Sequence, residues 1–333
     1  DKMLELMEEL EENRKNVGVL VVSGASIRAR RTKRVRLFRE LLGFEVASRI
    51  DIGRNVVDLY IESENLEEEA YRLIQKLGPG GLVYIPMDLG AEYAERVKRY
   101  LVERGINAEA YTRPRKRILE KFSQGVYDVL IGMASYRSPL VRGIDLPYTV
   151  RYALFIGVPK MLIDLDIRQR FRISKAIILL ANIRELLPER DQLEALRLIN
   201  ELRIANRIIP RELREEIAKS IAEGKPLPPI PERAKIAVEE ALEFLSDILS
   251  RPSVLKALEE SPYIGLEKRG DVFYLIIPDP VAYIQASGRV SRMYAGGVSK
   301  GISIVLVDNS RAFNGLMRET RWFMEDIVWR RLS

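Results

Sequence analysis

Between Asn55 and Pro159, short apolar runs alternate with amphipathic stretches, and only a few residues separate one from the next. "NVVDLYIES", "LVYIP", "INAEAYT", "YDVLIGM" and "RYALFIGVP" have the composition of strands. "LEEEAYRLIQKL", "AEYAERVKRYLVERG" and "RKRILEKFSQG" carry apolar residues at helical spacing. Glycines close several of these stretches, as in "GPGG" after the first helix and Gly105 after the second. A β–α alternation with short connections predicts an α/β fold built on a parallel, doubly wound sheet. Upstream, "VGVLVV" (17–22) reads as a buried strand, followed by the small-residue turn "SGAS" (23–26), a helix ending at Gly43 and a strand over "FEVAS".

The rhythm stops near Met161. As far as Gly270 the sequence reads as mainly helical, broken by the proline-rich "KPLPPIPE", which is a stiff joint rather than a domain linker. Strands resume with "DVFYLIIP", and a helix is expected over "YIQASGRVSRM". Another strand, "GISIVLVD", leads into a last helix, "GLMRETRWFMEDIVWRRL". Trp322, Phe323 and Trp329 fall at helical spacings in it and are expected in the core. The organisation is one α/β domain (51–160 and 271–333) interrupted by a helical insertion (161–270) and preceded by a separate piece (1–50).

The 333-residue sequence contains neither cysteine nor histidine, which excludes disulfides, the usual zinc sites and histidine acid–base chemistry. Charged residues make up 31%, with few asparagines and glutamines, a balance that fits a thermophile or a lysine- and glutamate-rich mesophile. No apolar run is long enough for a membrane span, and the acidic, helical start does not have the form of a signal peptide. A cytoplasmic protein with no membrane partner is expected.

The formal net charge of +6 favours a polyanionic partner. "RARRTKRVRLFR" (28–39) holds seven basic residues in twelve positions and no acid, fitting either a phosphate-backbone contact or a solvated helix face. In open parallel sheets, ligands bind beyond the carboxyl ends of the strands. "SGAS", "SPLVRGIDLP" (138–147) and "YIQASGRVSRMYAGG" stand at such places. In the last of these, Gly288 precedes Arg289 and Arg292, which share a face if the segment is helical. Guanidinium groups bond two phosphate oxygens at once. Yet the phosphate-loop pattern G-x-x-x-x-G-K-[ST] is absent from the chain.

Taken in order, "LVRGIDLP" and "YIQASGRVSR" resemble motifs V and VI of superfamily 2 helicases, in their second RecA-like domain. The likeness extends to the reverse gyrase family of ATP-dependent type IA topoisomerases. "YIQASGRVSRMYAGGVSKGISIVLVDN" resembles that family's motif VI and following strand, "VLIGMASYRSPLVRGIDLP" its motif V region, and "VVSGASIRARRTKRVRLFRELLGFEV" its motif III and the end of the first RecA-like domain. The helical interruption falls where the family carries its latch insertion. Gly24-Ala25-Ser26 departs from the Ser-Ala-Thr of most helicases, leaving one hydroxyl and putting the coupling role of motif III in doubt.

The resemblance implies that Arg289 and Arg292 are finger residues directed at ATP held by another RecA-like domain. It implies that Gln285 and Gly288 position phosphate or water, that Gly143 lets its loop approach, and that Asp145 bonds the ribose or ties to Arg289. It implies DNA backbone contacts from Ser26, Asp88, Tyr111, Thr112, Arg113 and Arg142. "TRPRKR" (112–117) fits such contacts or a solvated helix start equally. On this reading 1–50 is the end of the first RecA-like domain. The phosphate loop and the Mg²⁺ motif precede residue 1, and a topoisomerase half follows residue 333. The piece alone is then expected to be monomeric, to bind no cofactor tightly and to lack ATPase and topoisomerase activity. An ordinary superfamily 2 helicase with an unrelated insertion, and a catalytically silent DNA clamp, are the other readings.

Overall fold

The structure, a computed structural model, describes residues 54–142, 144–165, 173–210, 229–270, 272–294, 297–324 and 327–332, with isolated positions in 5–12 and 213–225. The segments 17–22, 23–26, 28–39 and 44–48, and with them Ser26, lie outside the described residues, as does Gly143.

From Arg54 the chain builds β1 (Val56–Glu62), α1 (Leu66–Leu77), β2 (Gly81–Ile85), α2 (Gly90–Val102), β3 (Ala108–Ala110), α3 (Lys116–Ser123), β4 (Val129–Met133), the short α4 (Pro139–Arg142) and β5 (Tyr152–Ile156). The Asn65 side chain caps α1 by accepting from the Glu68 amide, and three glutamates in the first turn suit the positive end of the helix. After β5 come β6 (Lys160–Asp164), the helices α5 (Ile173–Ile183), α6 (Glu189–Ile208), α7 (Pro229–Ser250) and α8 (Pro252–Glu260), then β7 (Gly265–Arg269) and β8 (Val272–Pro278). The chain ends through α9 (Pro280–Ser287), a small β9–β10 ribbon (Met293–Tyr294 and Gly297–Val298), β11 (Gly301–Val307), α10 (Ser310–Phe323) and β12 (Trp329–Arg331).

Seven strands form one sheet in the order β12-β1-β11-β5-β2-β4-β3, and each neighbouring pair is parallel. Alternation along the strands sorts the core into two layers. Leu82, Tyr84, Leu130, Phe155 and Val305 face α3, α4, α9 and α10. Val83, Ile85, Ile131, Leu154 and Ile304 face α1 and α2. With both faces covered, the strands have no wet side, which is why they read as continuous apolar runs. The expected α/β sheet flanked by helices and interrupted by a mainly helical segment is what the chain forms.

Three expectations need correction. The segment 161–270 is bounded by strands: β6 and β7 flank β8 in a separate antiparallel sheet. "DVFYLIIP" therefore does not rejoin the parallel sheet. Leu275 and Ile277 pack with α5, α6, α7 and α8 in the insertion's own core. The last helix stops at Phe323, and the chain then adds β12 to the sheet edge. Trp329 packs against Tyr283 and Phe313 in that strand, but Trp322 is 74% exposed, since its direction on α10 leads away from the sheet.

Gly315 of α10 marks where the insertion's sheet meets the parallel domain. A β-carbon there would lie 2.6 Å from the Tyr263 carbonyl and 2.9 Å from Pro278 Cγ. Only glycine permits this approach. Beside it, Arg318 pairs with Glu185 at 3.2 Å and lies over the Tyr263 ring.

Candidate functional site

β8 runs directly into α9. The Asp279 carboxylate caps that helix by accepting from the Ala282 amide at 2.9 Å, and Pro280 stands at its first position, where no amide is needed. Burial pushes the Asp279 carboxyl above the usual carboxylate range, partly offset by the Ala282 and Val281 amides. The α-helix ends at Ser287. Gly288–Val290 is a 3-10 turn, and Ser291 is extended. Arg289 and Arg292 therefore do not share a helix face.

The two arginines are held differently. The Arg292 side chain is 23% exposed, its Nη2 donates to the Ile144 carbonyl at 3.0 Å, and its Nε lies 3.8 Å from Asp145. Its main-chain N–H donates to Ser299 Oγ at 2.9 Å, and the Ser299 N–H donates to its carbonyl. Among the described residues, the Arg289 side chain makes one hydrogen bond, from Nε to the Gln285 carbonyl in its own turn, and no acid pairs with it. Asp145 is thus the partner of Arg292, not Arg289, and its side chain remains 82% exposed. Gln285 is half-buried. At Gly288 a β-carbon would meet nothing within 4 Å.

Tyr84, which the sequence did not single out, ties α4 to α9. Its hydroxyl donates within reach of the Leu140 carbonyl (3.2 Å) and the Ala286 carbonyl (3.4 Å), and burial raises its pKa despite the nearby Arg292. A tyrosine inside an otherwise aliphatic strand was the available signal, because a buried hydroxyl needs a partner.

The remaining sequence candidates separate into buried and exposed. Asp88 is not at a contact surface. Its side chain is 2% exposed and lies 3.5 Å from Lys160, which also pairs with Asp308. Burial raises the Asp88 pKa, partly offset by Lys160. Tyr111 is 3% exposed and its ring belongs to the core, because the β3 alternation continues through it. Neither side chain is presented for a backbone contact. Thr112, Arg113 and Arg142 are exposed beyond the carboxyl ends of β3 and β4. The guanidiniums of Arg137 and Arg142 lie over the Tyr136 ring, at 5.2 and 5.5 Å from its centre. Exposed Arg115, Lys116 and Arg117 extend this basic edge. Among the described residues, no group of three or more acidic side chains is placed to hold a metal ion, and no helix is long and apolar enough to cross a membrane.

The chain forms a parallel α/β domain flanked by helices, in which the arginine-bearing turn after α9 sits at the amino ends of β1 and β11 and reaches the Ile144–Asp145 segment. No family model matches the chain. The chain is a relative of the reverse gyrases. It is 40% identical over 310 residues to reverse gyrase of Pyrococcus horikoshii, covering 93% of this chain and 19% of that protein. With Pyrococcus furiosus reverse gyrase the identity is 42%, covering 92% and 25%. With reverse gyrase 1 of Aquifex aeolicus it is 37%, covering 98% and 27%. The chain thus spans about a quarter or less of the length of these relatives. Among solved structures, the C-terminal domain of the DEAD-box protein Dbp5 gives a TM-score of 0.39 at 14% identity, covering 84% of this chain and 90% of that one. Dbp5 of S. cerevisiae bound to RNA and ADP BeF3 gives 0.41 at 14%, covering 92% and 50%.

Proposed function

We propose that this chain is the second RecA-like domain, with its latch-like insertion, of an ATP-dependent type IA topoisomerase that introduces positive supercoils. Residues 1–50 would be the end of the first RecA-like domain, which would hold ATP and Mg²⁺. The observation that carries this reading is the unequal anchoring of the two arginines. Arg289 keeps its terminal nitrogens free of any described acid beside the open space at Gly288, while Arg292 is tied to Ile144 and Asp145.

ATP would supply the γ-phosphoryl group, with Mg²⁺ as its counter-ion. Arg289 would donate to its oxygens as charge develops, the role for which an arginine finger is worth roughly 10³–10⁵ in rate. Arg292 would brace the turn against the Ile144–Asp145 loop and offer its exposed edge to the same charge. The Gln285 amide would orient phosphate or water, and Asp145, being exposed, is free to meet the nucleotide's sugar. Absence of a phosphate loop from this chain fits a site completed by another domain.

Arg113, Arg142 and the basic edge between them would grip a DNA backbone without reading sequence. The proposed setting is a monomeric, cytoplasmic enzyme, and the 31% charged composition fits a thermophile. The complete enzyme carrying Arg289→Ala tests the reading: DNA-stimulated ATPase and positive supercoiling should both be lost. Retention of both would overturn it.

A further inference from the structure

Beneath α9 lies a charged network that the proposed chemistry does not use. Arg54, just before β1, makes a bidentate pair with Asp58, at 2.5 Å from Nη1 and 2.6 Å from Nη2. Their side chains are 6% and 1% exposed. The Tyr283 hydroxyl of α9 donates to the same carboxylate and lies 3.0 Å from Ser303 Oγ of β11. Arg54 Nη2 also donates to Ser287 Oγ at 2.7 Å, and that hydroxyl donates to the Tyr283 carbonyl at 2.7 Å. Burial lowers the affinity of the Arg54 guanidinium for its proton, and the bond to Asp58 together with the charges of Tyr283 and Asp58 raises it above the ordinary value.

Stability alone is a weak reason for such a cluster. Buried ion pairs seldom outperform apolar packing of equal volume, and Arg54 Nε has no hydrogen-bond partner among the described residues. Position is the better reason. Ser287 is the last helical residue before Gly288 and Arg289. Among the described residues, the Arg289 side chain is held through the Gln285 carbonyl alone, in the turn that Arg54 grips through Ser287. Arg292 has its own anchors and does not need this support.

We infer that Arg54 is a positioning residue for Arg289: through Asp58, Tyr283 and Ser287 it fixes the final turn of α9, and with it the direction of the Arg289 side chain. This rests on the assignment of Arg289 as the phosphate-facing group. Small displacements of such groups are costly, with about 1 Å amounting to roughly 10²-fold in rate. A planar fork is required, because lysine is a point charge that cannot hold both Asp58 oxygens and Ser287 together.

The test is steady-state ATPase of the full-length enzyme with plasmid DNA, assayed well below the unfolding temperature of every variant. Ser287→Ala removes a single hydroxyl, and Arg54→Lys keeps the charge. Each should lower kcat by about tenfold with KM for ATP unchanged, and the double variant should lose little more than either alone. In an Arg289→Ala background, Ser287→Ala should cost nothing further, because the clamp acts through Arg289. Singles within about twofold of the parent, while Arg289→Ala keeps a residual turnover lowered roughly 10³-fold, would overturn the inference. So would an equal loss from Ser287→Ala in both backgrounds, which is the mark of a general structural effect. Undiminished turnover by Arg289→Ala is a separate result: it would remove the finger assignment and this inference with it.

Discussion

Arg292 reaches from the turn after α9 to the loop after α4, where its Nη2 meets the main-chain carbonyl of Ile144 at 3.0 Å. That bond joins two sequence motifs, and Arg289, three residues earlier, makes no comparable one. The two arginines should therefore respond differently to removal. Arg292→Ala should cost about 1.5–3 kcal/mol, the range for a bond to a charged group, because it also strands the Ile144 carbonyl. Arg289→Ala should leave stability within about 0.5 kcal/mol while lowering kcat roughly 10³-fold or more. Thermal unfolding and ATPase assays on both variants check the contrast.

Gly288 sits at φ −64 and ψ −10, a conformation open to alanine, and its surroundings offer a methyl group no obstacle. Gly288→Ala should leave the fold intact, or stabilise it by about 0.4–1 kcal/mol through loss of unfolded-state freedom. If phosphate occupies the open space, the same methyl should raise KM for ATP or reduce kcat. Unchanged kinetics would place the nucleotide elsewhere.

The sheet was legible because strands covered on both faces are apolar throughout, as in "GLVYI" and "YALFI". β6 and β7 were not. "GLEKR" is short and largely charged, and it becomes a strand only by pairing with β8. β6 pairs with the same strand across the whole insertion, a long-range choice that local pattern does not encode. The end of the chain misled for a related reason: helical spacing continued through Trp329 while the backbone left the helix for the sheet edge.

Within the site, residue types and motif order pointed to Arg289, Arg292, Gly288 and Asp145, whose loops the structure brings together. The pairing of Asp145 with Arg292 could not be read, because it depends on the turn breaking out of helix after Gly288. Nor could the Arg54–Asp58–Tyr283 cluster. Asp58 and Tyr283 are 225 residues apart, and an acid within a strand normally signals a solvent-facing position.

Asp279→Asn isolates a charge without losing a cap, since both residues serve at that position. The folded-state pKa of Asp279 is raised, first by burial. A raised carboxyl contributes stability that is fully present below its unfolded pKa and is lost as pH rises through its folded pKa. The asparagine variant should therefore be more stable than the parent at neutral pH, and the difference should shrink as pH falls through the carboxylate range. Denaturant unfolding at several pH values reads it directly. A constant difference would mean that Asp279 titrates normally.

The basic edge makes its own prediction. Replacing Arg113, Arg115 and Arg117 with alanine should weaken DNA binding to a similar extent for unrelated sequences. For every phosphate that is no longer neutralised, the slope of log K against log salt should become shallower by about 0.7–0.9. An unaltered slope would assign "TRPRKR" to a solvated helix start.

In the proposed enzyme this chain contributes arginines to a nucleotide held by another domain. The most direct test of this is ATP turnover by this polypeptide alone, and then mixed with the upstream RecA-like domain, with and without DNA. The expected result is silence alone, turnover on mixing, and loss of that turnover with Arg289→Ala. Turnover by the chain alone would contradict it, because the nucleotide would then have a complete site within these residues.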